Sequence, residues 1–416
     1  MSGSFRQRLK ELRRNAGLSQ SELGGDRYSG SYVSHLESGR RRPTGEVITF
    51  LAQQLKVDSA ELIDGDPAVS MDGPGARALE VDLAARSAFS EGDHEGSAIL
   101  ADSLAQMALG AGRPDMWWRA QMMHLQSVMA LGDYERGKEL ALILSRHEVT
   151  SSSPALEAEV HTQLSKAHRA LSELAEAINS AHHAVQLAEA ASVHVGVRAS
   201  ALMALIAAQT EAGRIDQAAR FAENLRAVRR DITSSQTKGM IAWALGNIDF
   251  LTDQVDRACE EHDRASNWLR AEVDVRQWGR FHKASASMHL QAGVLEPVKR
   301  LLDSAATALT LVGNRHDLAE LELTRAEHSL ARGAYADAAR QVELGMRVED
   351  KLSRSHLGRA KLLRHRIQLA TGDTAGAIAS VAEAADDFES AGALARAVEA
   401  LRIHGDLVAA QPLATR

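Results

Sequence analysis

The residues best suited to chemistry in this chain carry nitrogen and hydroxyl groups, and they lie close together near its start. Arg40, Arg41 and Arg42 form a run stopped by Pro43, and Ser31, Tyr32, Ser34 and His35 come just before it. Guanidinium groups hold phosphates, whereas short polar side chains one helical turn apart can reach the edges of bases. Enzymatic constellations are missing from the rest of the sequence. There is no Walker loop and no G-x-S-x-G, and the 17 histidines form no H-E-x-x-H or other compact ligand set. His161 and His168 are seven apart on one helix face and His182 and His183 are adjacent, a scatter typical of packed or solvated histidines. The expectation is a protein without catalysis, cofactor or metal.

The elements that must position the polar set are short helices. Ser19 is a good N-cap, and Glu22 three residues on completes a capping box that opens a helix at Gln20. Gly24-Gly25 ends it after barely two turns, since glycine tolerates left-handed backbone. Ser29 caps a second helix from Gly30 to about Glu37. Val33 and Leu36 face back toward Leu23, and Ser31, Ser34 and His35 point outward. Two short helices joined by a tight glycine-containing turn make a helix-turn-helix unit, whose second helix enters a DNA major groove. A first helix precedes it, with Phe5, Leu9 and Leu12 on one stripe, and Gly17 ends that helix. A fourth begins near Gly45 with Val47, Ile48, Leu51 and Leu55 inward. Asp58 caps a last short turn that closes on Leu62.

Phe5 to Leu62 resembles the Cro/C1-type (xenobiotic-response-element, XRE) helix-turn-helix family. The resemblance is carried by R-L-K-E-L-R (8–13), G-L-S-Q-S-E-L (17–23), S-Y-V-S-H-L-E-S-G-R-R-R-P (31–43) and L-A-Q-Q-L-K-V (51–57). The turn after Leu23 is about one residue shorter than usual, with G-G-D-R replacing a longer helical segment. The resemblance implies an Arg13–Glu37 pair and a DNA-facing set of Gln20, Ser29, Ser31, Tyr32, Ser34, His35, Arg40, Arg41 and Arg42. In that set Ser31 and His35 reach bases, Tyr32 adds a thymine-methyl or phosphate contact, and Gln20 and the arginines hold phosphates.

Composition agrees with a helical, DNA-binding chain. The 416 residues are 45% hydrophobic but only 4% aromatic, with 7 prolines, which favours helix almost throughout. One cysteine, Cys259, rules out an internal disulfide and a cysteine zinc site and suits a reducing cytoplasm. No apolar run approaches the ~20 residues of a membrane span, and the N-terminus lacks a secretory apolar region. Residues 1–43 hold nine Lys/Arg against four Asp/Glu, although the whole chain is −7. A basic head on an acidic body concentrates phosphate affinity in the head.

D-G-D-P-A-V-S-M-D-G-P-G (64–75) reads as a linker, so a head over 1–63 and a body over 76–416 are expected. In the body a helix-breaking corner recurs at 92, 132, 172, 213, 253, 293, 333 and 372, each spacing being 39 to 41 residues. Eight matches at a near-constant interval define repeats: helix A, a turn of the form G-x-(apolar)-x-x-(small), then helix B. This pattern resembles the tetratricopeptide repeat, best in A-W-A-L-G-N-I-D-F-L (242–251). The period exceeds the usual 34 and the terminal proline is missing, so long helices are expected, with a HEAT-like array as the alternative. Residues 393–410 read as a capping helix. The expected fold is all-α: a five-helix head and a right-handed repeat superhelix whose A helices line a concave groove.

In the tetratricopeptide pattern Trp243 and Asn247 face that groove, and an asparagine there clamps the main chain of a bound peptide. The same placement turns Lys166, Arg169, Met203, Arg280 and Lys283 inward. A Cro-type head on such a body is similar to the peptide-sensing regulators of Gram-positive bacteria. The leading expectation is a cytoplasmic, dimeric, sequence-specific transcription regulator acting on a double-stranded DNA operator, with a peptide or other effector in the groove. The alternatives are a regulator whose repeats only dimerise and hold protein partners, and a protein–protein scaffold whose head no longer binds DNA.

Overall fold

The computed structural model describes residues 5–38, 41, 43–59, 62, 74–190, 193–347 and 352–410, and every regular element among them is a helix. Arg40, Arg42 and most of the 64–75 segment lie outside the described residues, as does much of the expected fifth turn of the head. Contact density divides the chain into two compact units, Met1–Val149 and Thr150–Arg416.

The first unit begins with α1 (Phe5–Asn15), α2 (Gln20–Gly24), α3 (Gly30–Glu37) and α4 (Gly45–Leu55). Leu9, Leu23, Val33, Leu36, Val47, Ile48, Leu51, Leu55 and Leu62 are all buried in one core. These are the apolar positions the helical periods select. Two hairpins follow: α5 (Pro74–Ser90) with α6 (His94–Gly110), and α7 (Pro114–Leu131) with α8 (Tyr134–Ser145). Helix α5 thus starts two residues inside the stretch read as linker.

The head is in direct contact with the first repeat. It is seated on α6 by three residues spaced four apart on one face of that helix. Glu95 Oε1 accepts the Gly45 N–H at 2.6 Å, Ile99 packs into the head core, and Ser103 Oγ donates to Asp58 Oδ1 at 2.9 Å. A carboxylate at the first turn of α4 also suits the positive end of that helix.

The second unit contains six hairpins: α9 (Pro154–Ala170) with α10 (Leu174–Ala188), α11 (Val195–Glu211) with α12 (Ile215–Val228), α13 (Ser235–Leu251) with α14 (Val255–Trp268), α15 (Val275–Gln291) with α16 (Val298–Val312), α17 (Arg315–Ala331) with α18 (Tyr335–Met346), and α19 (Arg354–Ala370) with α20 (Thr374–Ser390). The terminal helix α21 (Leu394–Ala409) follows. Residues of α20 and α21 share one buried cluster with residues of α9 to α13, so the last repeat packs back on the first ones of this unit. The Ser355 N–H reaches Ser172 Oγ across the same junction.

All eight corner residues have positive φ, between 57° and 88°, including the non-glycines Ser172 and Asp253. The residue five beyond each corner is buried: Ser97, Gly137, Ala177, Ala218, Ala258, Val298, Ala338 and Ala377. Seven of the eight are Gly, Ala or Ser, which lets helix B cross close on helix A. A Cβ on Gly137 would lie 2.5 Å from Met129 Sδ. The corners themselves act through backbone alone. Gly293 has φ +74° with nothing within 4 Å of an added Cβ, so Gly293→Ala should cost about 1–2 kcal/mol of left-handed strain. Asp253→Gly should move the unfolding midpoint in the opposite direction. Urea unfolding of the two variants checks the pair.

Candidate nucleic-acid interface and A-helix ladder

The head is built to present one helix. Ser19 Oγ accepts the Glu22 N–H at 3.1 Å and Glu22 Oε2 accepts the Ser19 N–H at 2.7 Å, the reciprocal box the sequence implies. Gly25, at φ +54°, ends α2. Ser29 Oγ then accepts the Tyr32 N–H and starts α3. A Cβ on Gly30 would come within 3.2 Å of the Ser21 backbone, so glycine lets α3 cross close against α2. With Val33 and Leu36 buried, Ser31 is exposed and Ser34 and His35 are half-exposed on the opposite face.

Arg13 and Glu37 are joined as the resemblance implied. Arg13 Nε and Nη2 donate to the two oxygens of Glu37 at 2.6 and 3.1 Å, and Nη1 donates to the Leu18 carbonyl at 2.8 Å. Gln20 Nε2 donates to Glu37 Oε2 at 2.8 Å, so one N–H of this expected phosphate ligand is spent inside the head. Burial by itself would raise the Glu37 carboxyl. The hydrogen bonds from Arg13 and Gln20 outweigh it and hold Glu37 below the ordinary carboxylate range.

Tyr32 stacks on Tyr28 with ring centroids 5.2 Å apart, and the Arg41 guanidinium lies 5.0 Å above the Tyr32 ring. The Arg41 N–H donates to the His35 carbonyl at 3.2 Å. Arg41 is therefore fixed beside the end of α3, with its charge next to the face that carries Ser31, Ser34 and His35.

In the second unit, Met203, Trp243 and Lys283 are each the ninth residue of α11, α13 and α15, and Lys166 and Asn247 are each the thirteenth of α9 and α13. They form a ladder on successive A helices, but most rungs are already engaged. Arg169 Nη1 bonds Glu211 at 2.9 Å, Arg280 bonds Asp317 at 3.0 Å, and Lys283 bonds Glu320. These ion pairs tie α9 to α11 and α15 to α17. Asn247 Oδ1 accepts from His262 Nε2 at 3.1 Å, and His262 Nδ1 accepts from Ser285 Oγ at 2.9 Å. Burial pushes that imidazole down to about 3, so it is neutral.

Two groups in the ladder keep unspent capacity. The Trp243 ring meets Phe281 edge-on at 5.8 Å, while its Nε1 has no acceptor. Among the described residues no acidic group is in contact with Lys166, and burial lowers its pKa.

Two groups of possible metal ligands are brought together among the described residues: Glu157, His161 and His183, and His316, Glu320 and His356. In the second, Glu320 is shared between Lys283 and His356, and Ser353 Oγ holds His356 Nδ1 at 2.5 Å. Glu320 is thus already engaged by two side chains.

The sequence reading missed the buried ion pairs between α12, α13 and α14 and the one-turn segment after α12. Asp249, fully buried, takes Arg226 and Arg257 at 2.5 Å each, and Glu261 takes Arg229 at 2.5 Å and Arg264 at 2.8 Å. Asp249 sits in an apolar-looking stretch, I-D-F-L, where an acid without a local counterion is the available signal.

The fold and the site thus define an all-α chain with an N-terminal helix-turn-helix and a body of helical hairpin repeats. Residues 4–64 match a family described as a helix-turn-helix domain. No curated protein matches the chain. Among solved structures it is similar to Bacillus thuringiensis PlcR in complex with the peptide PapR7 and DNA, at 13% identity and TM-score 0.39 over 68% of this chain and 98% of that one. It is also similar to the Rap conjugation gene regulator of plasmid pLS20 in complex with the Phr* peptide, at 11% identity and TM-score 0.48 over 99% and 98%. A third is the apo quorum sensor NprR from B. thuringiensis, at 12% identity and TM-score 0.36 over 97% and 98%. No helix among the described residues is long and apolar enough to cross a membrane.

Proposed function

We propose that this protein is a sequence-specific DNA-binding transcriptional regulator whose repeat body dimerises and binds a peptide or other effector. The observation that carries the DNA part is α3: capped by Ser29, braced from behind by Val33 and Leu36, and open on the face holding Ser31, Ser34 and His35 beside Arg41. Ser31 and His35 read bases, Tyr32 supports Arg41 and the thymine-methyl or phosphate contact, and Arg40, Arg41 and Arg42 hold phosphates. One small head buries little DNA, so two acting on neighbouring half-sites suit tight binding.

Support for a dimer lies on α21. Leu394, Val398, Leu401 and Val408 are 47–67% exposed along one face of a terminal helix, where a capping helix would be polar.

The effector part rests on the unspent Trp243 N–H and the unpaired Lys166. The internal partners of Arg169, Arg280, Lys283 and Asn247 favour the second reading, repeats that only dimerise and hold protein partners. A heptapeptide library assayed by thermal shift separates the two. A native-state ligand must raise the melting point of wild type, and Trp243→Ala should lose that rise. No rise in wild type, or the same rise in the variant, decides for the second reading.

A further inference from the structure

A second candidate ligand site lies away from the A-helix ladder. Where α12, the one-turn 3₁₀ segment Arg229–Asp231, and α13 meet the end of α14, a cavity of about 370 Å³ is lined by Arg226, Arg229, Arg230, Lys238 and Trp268. Among the described residues no acidic one lines it. Arg226 and Arg229 are held from behind by the buried Asp249 and Glu261. The side chains of Arg230 and Lys238, in contrast, make no hydrogen bond or ion pair with any of the described residues.

Cations at the end of a helix are ordinary, because they complement its negative pole, and Arg226, Arg229 and Arg230 could be explained that way. Lys238 could not. It is the fourth residue of α13, near the positive pole, where an unpaired ammonium is disfavoured. An excess of two uncompensated cations is thus gathered on a body that is acidic overall. Beside them Trp268, half-buried, supplies an indole, and no cation among the described residues lies over its ring.

We propose that this cavity binds an organic phosphate carrying a planar ring, the chemistry of a mononucleotide. The ring stacks on or edges against Trp268, and the phosphate is taken by Arg230 and Lys238, with Arg226 and Arg229 fixed behind them. Guanidinium groups are suited to phosphate oxygens, an indole adds flat apolar area, and the cavity volume falls in the range that accepts small ligands. The site is independent of the DNA-binding reading, since none of its residues belongs to the head.

The test is calorimetric titration of the full chain with AMP, adenosine and inorganic phosphate. AMP should bind, with adenosine and phosphate each at least about tenfold weaker. Arg230→Gln combined with Lys238→Gln should weaken AMP by about tenfold or more at an unchanged melting point, because neither side chain has a partner to lose. Trp268→Phe, which keeps an apolar ring, should weaken it less. His35→Ala should leave AMP binding as in wild type. The proposal is overturned if AMP fails to bind at about 1 mM, if phosphate binds as well as AMP, or if the double variant binds AMP like wild type. It is equally overturned if the double variant loses affinity for random DNA duplex while AMP does not compete for it, which would make the cavity a backbone contact.

Discussion

Arg13→Ala should destabilise the helix-turn-helix head by about 3–5 kcal/mol, the cost of stranding one member of a buried ion pair. The Glu37 side chain is only 4% exposed, and Arg13 supplies two of its hydrogen bonds. The variant also removes the donor from the Leu18 carbonyl, just where the chain turns into α2. Hydrogen-exchange mass spectrometry on the full chain reads the effect locally: peptides from α1 to α4 lose protection while those of the second unit keep theirs. The pH dependence has a definite sign. Because the folded-state pKa of Glu37 is lowered, its contribution is present above the ordinary carboxylate value and is lost as pH falls through the lowered one. In the variant the stranded carboxylate can take up a proton, so the gap from wild type should narrow near pH 4. Replacing both partners by apolar residues, Arg13→Met with Glu37→Leu, should recover much of the loss. Unchanged protection in Arg13→Ala would show that the pair does not hold α1 to α3.

This pair also shows what could be read in advance. The Arg13–Glu37 contact followed from the motif that carries both residues. The eight corners were legible because a left-handed turn and a small residue five positions on recur with a fixed period, and each of those residues does one local job. The partners of the ladder were not legible. Lys283 meets Glu320, and Arg280 meets Asp317, across neighbouring A helices, so the pairing depends on helix phase and stacking that no local pattern encodes. The same holds for the seat of the head. Glu95, Ile99 and Ser103 look like ordinary residues of a first B helix until the head is placed against them. Gln20 illustrates a subtler limit: its type and position suited a phosphate contact, yet Glu37 takes one of its N–H groups. The surroundings of Arg226, Arg229 and Arg230 were likewise not legible, because neither the buried acids behind them nor Trp268 beside them is near in sequence.

The second large effect concerns DNA. His35→Ala should relax sequence preference by about 1–3 kcal/mol at one base position, since a side chain reading a base edge discriminates between bases. Arg41→Ala should weaken all duplexes about equally and reduce the slope of affinity against salt by about one unit, since a phosphate contact is blind to sequence. The two residues sit side by side, the Arg41 N–H on the His35 carbonyl, so a general disturbance of the loop would affect both variants alike. The contrast between the variants therefore separates readout from folding.

The most direct measurement is selection of duplexes from a random pool by the wild-type protein, followed by titration of the selected sequence and of random duplex over a range of salt. The account predicts recovery of one sequence, bound at least about a thousandfold more tightly than random duplex at physiological salt, with the preference reduced in His35→Ala and kept in Arg41→Ala. A pool that yields no sequence, or equal affinity for selected and random duplex, would contradict it and leave the head as a protein contact module.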